Sequence, residues 1–330
     1  MDLILDTDVG SDCDDMMALA YLVYARRSLG VRIKAVTYCN GCEDGVPAIR
    51  AFFRTLNEAV PPIGWGGRDG RAYDRYCRAI CERFGTDADR GEIPDAVSVL
   101  RRALRESEGA VLCAIGPFTN LAALLESKGD AISPLDGREL LKRSCKEVIL
   151  MGGTFVSGAE SAPPEWNARL DAAATRRFVE DCPVPIAFLP FEAGKDLLTG
   201  KPVMEKYGES TPLSLSFCRF PGVRTAGGRH SWDPAAVLYA CEGYGSYFCE
   251  ALRGTVSVDE EGRTRMHPFE EGMHTVIGIG TKDGEIESDR KAAIAAYIDS
   301  CAMRVIRESA AISSAISEKE TQHGTEQATH

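Results

Sequence analysis

The chain has 330 residues, 44% of them hydrophobic, and a formal net charge of −11. That charge argues against nucleic acid or an anionic membrane as a partner, since both repel an acidic surface. The apolar content suffices for one large α/β core, while the longest apolar run, residues 16–25, is too short to span a bilayer.

In chain order, strands are predicted at residues 3–6, 31–38, 62–65, 110–115, 147–151 and 186–189. Each is short and apolar and is followed by Gly, Asn or Asp. Helices are predicted at 14–26, 46–58, 94–106, 120–127, 171–181, 234–240 and 288–308. This alternation is the signature of a single α/β domain, a mainly parallel central sheet flanked by helices. Residues 254–281 read as strand and turn. From 309 to 330 the chain becomes polar, which suggests a disordered tail after a domain of residues 1–308.

No basic leader followed by an apolar segment opens the chain, so its twelve cysteines read as reduced thiols in the cytoplasm. Cys39 and Cys42 have redox-motif spacing, and Cys77 with Cys81 would complete a zinc site. Zinc sites usually show short cysteine spacings at both ends. Buried, inert thiols are therefore the better reading.

The most informative segment is Leu3-Ile4-Leu5-Asp6-Thr7-Asp8-Val9-Gly10-Ser11-Asp12-Cys13-Asp14-Asp15. A short apolar strand runs into a carboxylate-lined loop, and a helix follows. In open α/β sheets ligands bind beyond the carboxyl ends of the strands. Like charges packed there raise one another's pKa unless a cation neutralises them. Oxygen donors favour Ca²⁺ or Mg²⁺ over zinc. A solvated loop at a helix N-terminus accounts for Asp14 and Asp15, but not for Asp6 and Asp8 at a strand end. The glycine spacing does not fit an EF-hand.

Further segments share this character. Ala35-Val36-Thr37-Tyr38-Cys39-Asn40-Gly41 ends a strand in an amide, and Ala114-Ile115-Gly116-Pro117-Phe118-Thr119-Asn120 ends another in irregular backbone. Ile149-Leu150-Met151-Gly152-Gly153 permits close approach to backbone. Glu165-Trp166-Asn167 precedes a helix, and Ser231-Trp232-Asp233-Pro234 places an acid before a proline-initiated one.

Together these motifs resemble the inosine–uridine nucleoside hydrolase family, from about residue 2 to the last helix. The resemblance implies hydrolysis of the N-glycosidic bond of ribonucleosides, a bound Ca²⁺, and a homodimer or homotetramer. It implies Asp8, Asp15, the Thr119 backbone carbonyl and Asp233 as calcium ligands, with Asp8 also the general base on the water that the metal holds. Asp14 and Asn167 would hold the ribose 2′- and 3′-hydroxyls, and Glu165 the 5′-hydroxyl. Met151 would pack on the sugar, Asn40 would support the carboxylates, and Asp6 would stand behind them.

Three departures bear on substrate. The family's Asp-Pro-Gly-x-Asp-Asp is lengthened here by two residues at Ser11-Asp12-Cys13, with Val9 in place of proline. A Gly-Asn that often helps hold the 5′-hydroxyl appears as Gly158-Ala159. Where many members carry a leaving-group histidine, this chain has Trp232, as the purine-preferring branch does, which tilts the substrate towards purine nucleosides activated by stacking. His230 is a candidate acid, and His274 a weaker one. Trp65, Tyr73 and Tyr76 would wall the base pocket or pack in the core, and Asn120 reads as a helix cap. Two other functions compete: a Mg²⁺-dependent phosphatase of the haloacid-dehalogenase type, which also opens on strand-Asp-x-Asp but needs later motifs missing here, and a non-catalytic nucleoside or ribose binder.

Overall fold

The apolar triplet that opens the chain sits inside a nine-stranded sheet in the computed structural model, which describes residues 1–67, 70–155, 163–280 and 288–327. In chain order the strands are β1 (Asp2–Thr7), β2 (Arg32–Tyr38), β3 (Ile63–Trp65), β4 (Ala110–Ala114), β5 (Cys145–Met151), β6 (Ile186–Leu189), β7 (Leu198–Thr199), β8 (Arg229–His230), β9 (Phe248–Val258), β10 (Thr264–Pro268) and β11 (His274–Ile279). The large sheet runs β10-β9-β11-β6-β5-β4-β1-β2-β3, and β7 pairs with β8 alone. Neighbours from β3 across to β11 are parallel, while β9 and β10 close the far edge antiparallel.

Every residue of β1 is buried, because helices cover both faces of a parallel sheet. Alternation along the strand sends Leu3 and Leu5 into one half of the core and Ile4 into the other. The first half holds the helix Asp14–Ser28, packed on the helix Trp232–Glu242. Asp14 and Asp15 open the former and Arg26 and Arg27 close it, matching the sign of its dipole at each end. Among the described residues, no helix is long and apolar enough to cross a membrane.

All six predicted strands form, with ends displaced by two residues at most. The predicted helices form as well, and residues 254–281 supply the second part of β9 together with β10 and β11. Short helices such as Cys77–Phe84 and Gly137–Ser144 were not foreseen, since a helix of eight residues shows too few turns of apolar periodicity. The last helix runs Ser288–Gln327, past residue 308, where the sequence suggested that a tail begins. Ser309 is buried and donates to Leu56 O (2.9 Å), and Asn57 Nδ2 donates to Ser309 O (3.0 Å). Those partners lie far away in the chain, so local polarity hides them.

The chain passes from β1 to β2 and β3 on one side, then returns to lay β4 on the other. The strand order thus reverses at β1. A reversal of this kind opens a crevice at the carboxyl ends of the strands, and the aspartate loop occupies it.

Candidate active site

Asp6 and Thr7 end β1, Asp8 begins the loop, and Asp14 and Asp15 open the next helix. The loop turns at Gly10, whose φ is +102°. A Cβ there would lie 2.7 Å from Tyr73 O and 2.8 Å from Cys77 Sγ, so only glycine fits. Gly10 N donates to Tyr76 Oη (2.9 Å), which donates in turn to Asp12 O (2.6 Å). Asn40 Nδ2 donates to Tyr73 O (2.8 Å) and Val9 O (3.2 Å), and Asn40 Oδ1 accepts from Tyr73 N (2.9 Å). Asn40 therefore clamps backbone; its amide bonds main chain and not the carboxylates.

Carboxylate oxygens of Asp14, Asp15 and Asp233 lie within 4.8 Å of one another, all buried. Asp8 lines the cavity with Asp14 and Asp233, and its charge bears on both Asp15 and Asp233. Burial first, and the neighbouring acids second, push the carboxyls of Asp14, Asp15 and Asp233 well above the usual range. Burial likewise pushes Asp8 up to about 7. Asp14 Oδ2 accepts from the backbone N–H groups of Trp232 (3.0 Å) and Asp233 (3.2 Å), where a helix N-terminus favours negative charge. Asp15 Oδ1 accepts from Thr7 Oγ1 (2.5 Å), whereas its buried Oδ2 has no hydrogen-bond partner among the described residues. An orphaned carboxylate oxygen among other acids fits a hard cation. Asp6 stands apart: its Oδ1 takes bonds from Thr37 Oγ1 (2.5 Å) and Asn120 Nδ2 (2.7 Å). Asn120 thus braces Asp6 and does not cap its helix.

The cavity over these acids measures about 290 Å³, enough for one small organic molecule. Ile115, Met151, Glu165 and Asn167 form one wall. Glu165 caps the helix Trp166–Leu170 by accepting from Asn167 N (3.0 Å) and Ala168 N (3.0 Å), and burial pushes its carboxyl up to about 7. Asn167 Nδ2 donates to Met151 O (3.1 Å) and Ile115 O (3.3 Å), tying the ends of β4 and β5. Thr119 does not line this cavity. It opens the helix Thr119–Glu126 and donates to Asp171 Oδ2 (3.1 Å), on a neighbouring cavity that Asp8 and Asn40 also line. From this strand end it is Ile115 that lines the cavity with the acids.

The lining also includes Phe191, Phe220, Arg229 and Trp232. Trp232 stacks on Phe191 with centroids 5.5 Å apart and 25° between planes, and its Nε1 donates to Phe191 O (2.9 Å). His230 does not line the cavity: its Nδ1 accepts from Asp196 N (2.8 Å), and burial lowers its pKa. That bond leaves the ring proton on Nε2, so it is the place of His230 outside the cavity lining that argues against it as the acid for a leaving group. His274 lies in the sheet and accepts from Val256 N (2.8 Å). Trp65 is buried and donates to Asn40 O (2.9 Å), so it belongs to the core. Tyr76 is the loop clamp, and Tyr73 lines the neighbouring cavity. Gly158 and Ala159 lie outside the described residues.

The family model for inosine-uridine preferring nucleoside hydrolases matches residues 3–304. The chain belongs to that family. Membership makes this nucleoside hydrolase an N-glycosidase enzyme, and its mostly parallel sheet in one domain is the family fold. Solved structures agree on the fold. An inosine-uridine preferring nucleoside hydrolase from Bacillus anthracis is 17% identical, with 91% of this chain and 99% of that one covered and a TM-score of 0.67. The purine-preferring ribonucleoside hydrolase from Gardnerella vaginalis is 20% identical, with coverages of 92% and 99% and a TM-score of 0.63. The type III effector protein XopQ, complexed with adenosine diphosphate ribose, is 15% identical, with coverages of 93% and 94% and a TM-score of 0.65. No curated protein matches the sequence.

In this nucleoside hydrolase the lengthened loop has a structural partner that sequence reasoning missed. Arg229 Nε donates to Asp12 Oδ1 (2.8 Å) and Oδ2 (3.0 Å), and Arg229 Nη2 also bonds Oδ2. The guanidinium lies 5.0 Å from the Phe220 ring and 5.2 Å from the Trp232 ring. The inserted aspartate therefore fixes an arginine beside two aromatic rings of the cavity lining. An added acid in the loop and an arginine beside Trp232 were both visible in sequence, but nothing local joined them. Asp12→Ala is expected to cost about 1 kcal/mol of stability, because both side chains are about a quarter exposed. It should raise KM more than it lowers kcat; thermal denaturation and steady-state kinetics read the two effects.

Proposed function

We propose that this nucleoside hydrolase cleaves the N-glycosidic bond of ribonucleosides, purine nucleosides preferred, with calcium as its cation. The observation that carries the reading is the convergence of Asp8, Asp14, Asp15 and Asp233 in one buried site beside an aromatic-walled cavity. Asp8, Asp15 and Asp233 would hold the ion, an all-oxygen set suited to Ca²⁺. The backbone carbonyl at Ile115 replaces Thr119 in this reading, since Ile115 lines the cavity with the acids and Thr119 does not. When bound, calcium supplies a Lewis-acidic centre that orients water and the sugar diol.

The chain's own residues do the rest. Asp14 and Asn167 bind the ribose hydroxyls, and Met151 packs against the ring. Glu165, held near 7 by burial, can donate to or accept from the 5′-hydroxyl. Fixing the sugar in this way orients its anomeric carbon for attack, an effect of roughly 7–11 kcal/mol at the upper end. The surrounding carboxylates stabilise the oxocarbenium-like transition state. Asp8 accepts the proton of the attacking water. Trp232, stacked on Phe191, offers an aromatic face to a purine as it leaves. We assign the enzyme to the cytoplasm, in keeping with twelve free thiols, and to a homodimer or homotetramer, which light scattering resolves.

The deciding experiment assays purine and pyrimidine ribonucleosides with and without a calcium chelator. Release of free base that needs calcium and favours purines is expected. Tight binding with no turnover, or turnover indifferent to the chelator, would overturn the reading. Within the same assay, Trp232→Ala is expected to lose roughly tenfold or more on purine nucleosides, and far less on nitrophenyl riboside, whose leaving group needs no activation. Equal losses on both substrates would remove stacking from the mechanism.

A further inference from the structure

The loop that carries Asp8 rests on a second set of donors of different chemistry. Cys42 follows β2, while Asp74 and Cys77 stand at the start of the helix Cys77–Phe84. One ligand atom from each of the three lies within 4.8 Å of the others. Both thiols are buried and Asp74 is exposed, so a carboxylate marks the solvent side of a sulfur pair and gives an ion a way in. Asp74 Oδ1 accepts from the backbone N–H of Arg78 (3.3 Å), while Arg78 Nε comes no nearer to Asp74 than 4.0 Å and is closer, at 3.7 Å, to Asp44.

The grouping differs from the one that cysteine spacing suggests. Cys39 turns the other way, its thiol donating to Thr7 O (3.3 Å) beside Asp8, and Cys81 is directed at Asp44 O (3.5 Å). The three donors that remain are two sulfurs and one oxygen. Tetrahedral zinc, with Zn–S bonds of about 2.3 Å, sets its sulfurs about 3.8 Å apart, inside the observed limit. Soft sulfur selects zinc-class ions, just as the all-oxygen acid cluster selects calcium or magnesium.

We propose that Cys42, Asp74 and Cys77 form a zinc-class metal site that braces the opening loop. Cys77 Sγ lies 3.7 Å from Val9 O, and the backbone at Gly10 passes so close that a Cβ would sit 2.8 Å from that sulfur. An ion on Cys77 fixes the sulfur on which the loop backbone lies, without touching substrate. Each thiol releases its proton on binding, two per ion, and the fourth tetrahedral position takes water.

The test loads the intact protein with saturating calcium, then with zinc or cobalt alone, and counts retained metal after dialysis. One equivalent of zinc is expected in the wild type and in Cys39→Ser, and none in Cys42→Ser or Cys77→Ser. Cobalt should show a sulfur-to-metal charge-transfer band in the wild type. Retention below one equivalent, or a cobalt spectrum without that band, would overturn the site. So would an intact mass short of two hydrogens with residues 42 and 77 cross-linked, since that makes the pair a disulfide. If Cys77→Ser does not fold, Asp74→Asn at its exposed position serves: zinc affinity should drop about tenfold or more, and an unchanged affinity counts against the site.

Discussion

Asp8→Asn is expected to cut kcat by roughly 10²–10⁴-fold, the usual contribution of a positioned general base. Asn keeps the shape of the side chain and loses its basic oxygen. Asp8 directly follows a strand whose six residues are all buried, and Gly10, Tyr76 and Asn40 hold the loop that it begins through backbone bonds. The substitution therefore leaves the fold in place. Stability in the absence of cations should not fall, and should rise near neutral pH, because the wild-type carboxyl is held near 7 by burial and repelled by its neighbours. Single-turnover kinetics with circular dichroism separates the two effects. A mutant with wild-type kcat would take Asp8 out of the chemistry.

Chelating divalent cations near neutral pH is expected to abolish turnover and destabilise the protein, with little effect at about pH 4. Asp8, Asp14, Asp15 and Asp233 all have folded-state pKa values raised above those of the unfolded chain. The folded state then binds more protons than the unfolded one, so stability is fully present below about pH 4 and is lost as pH rises through the folded values. For Asp8, raised from 3.8 to about 7, the loss is on the order of 4 kcal/mol by about pH 8. Asp6 and Glu165, raised to about 6 and about 7, add loss of the same sign. A cation among the clustered acids removes their share alone. Scanning calorimetry from about pH 4 to 8, with chelator or with calcium, should give curves that meet at the acid end and diverge towards neutrality. Parallel curves would mean that the acids do not share an ion.

The strand-acid-helix reading of residues 3–26 was local, and it held. An apolar triplet, a carboxylate loop and an apolar helix need only near neighbours to be recognised. A place in the lining of the acid-bearing cavity was legible where a residue ends or directly follows a strand, as with Met151 and Asp8, or stands in the first turn of a helix, as with Asp14 and Asp233. It was less legible where a side chain's partner lies elsewhere in the chain. Thr119 follows a strand end as well as Ile115 does in sequence, but helix initiation at Thr119 turns it towards Asp171. His230 sits beside Trp232 in sequence, yet β8 pairing with β7 directs its ring to Asp196.

By itself, then, the sequence determined the parallel α/β order, the acidic loop at the end of β1 and the second acid ahead of a late helix. Periodicity and strand-end chemistry are properties of a few consecutive residues, and they survive any packing. Tertiary structure alone decided that Asp14 meets the backbone of Asp233 across 219 residues, that Asp12 holds Arg229 against the cavity, and that Asn40 is a clamp. Buried polar atoms must find partners wherever packing puts them, and no local pattern records where that is.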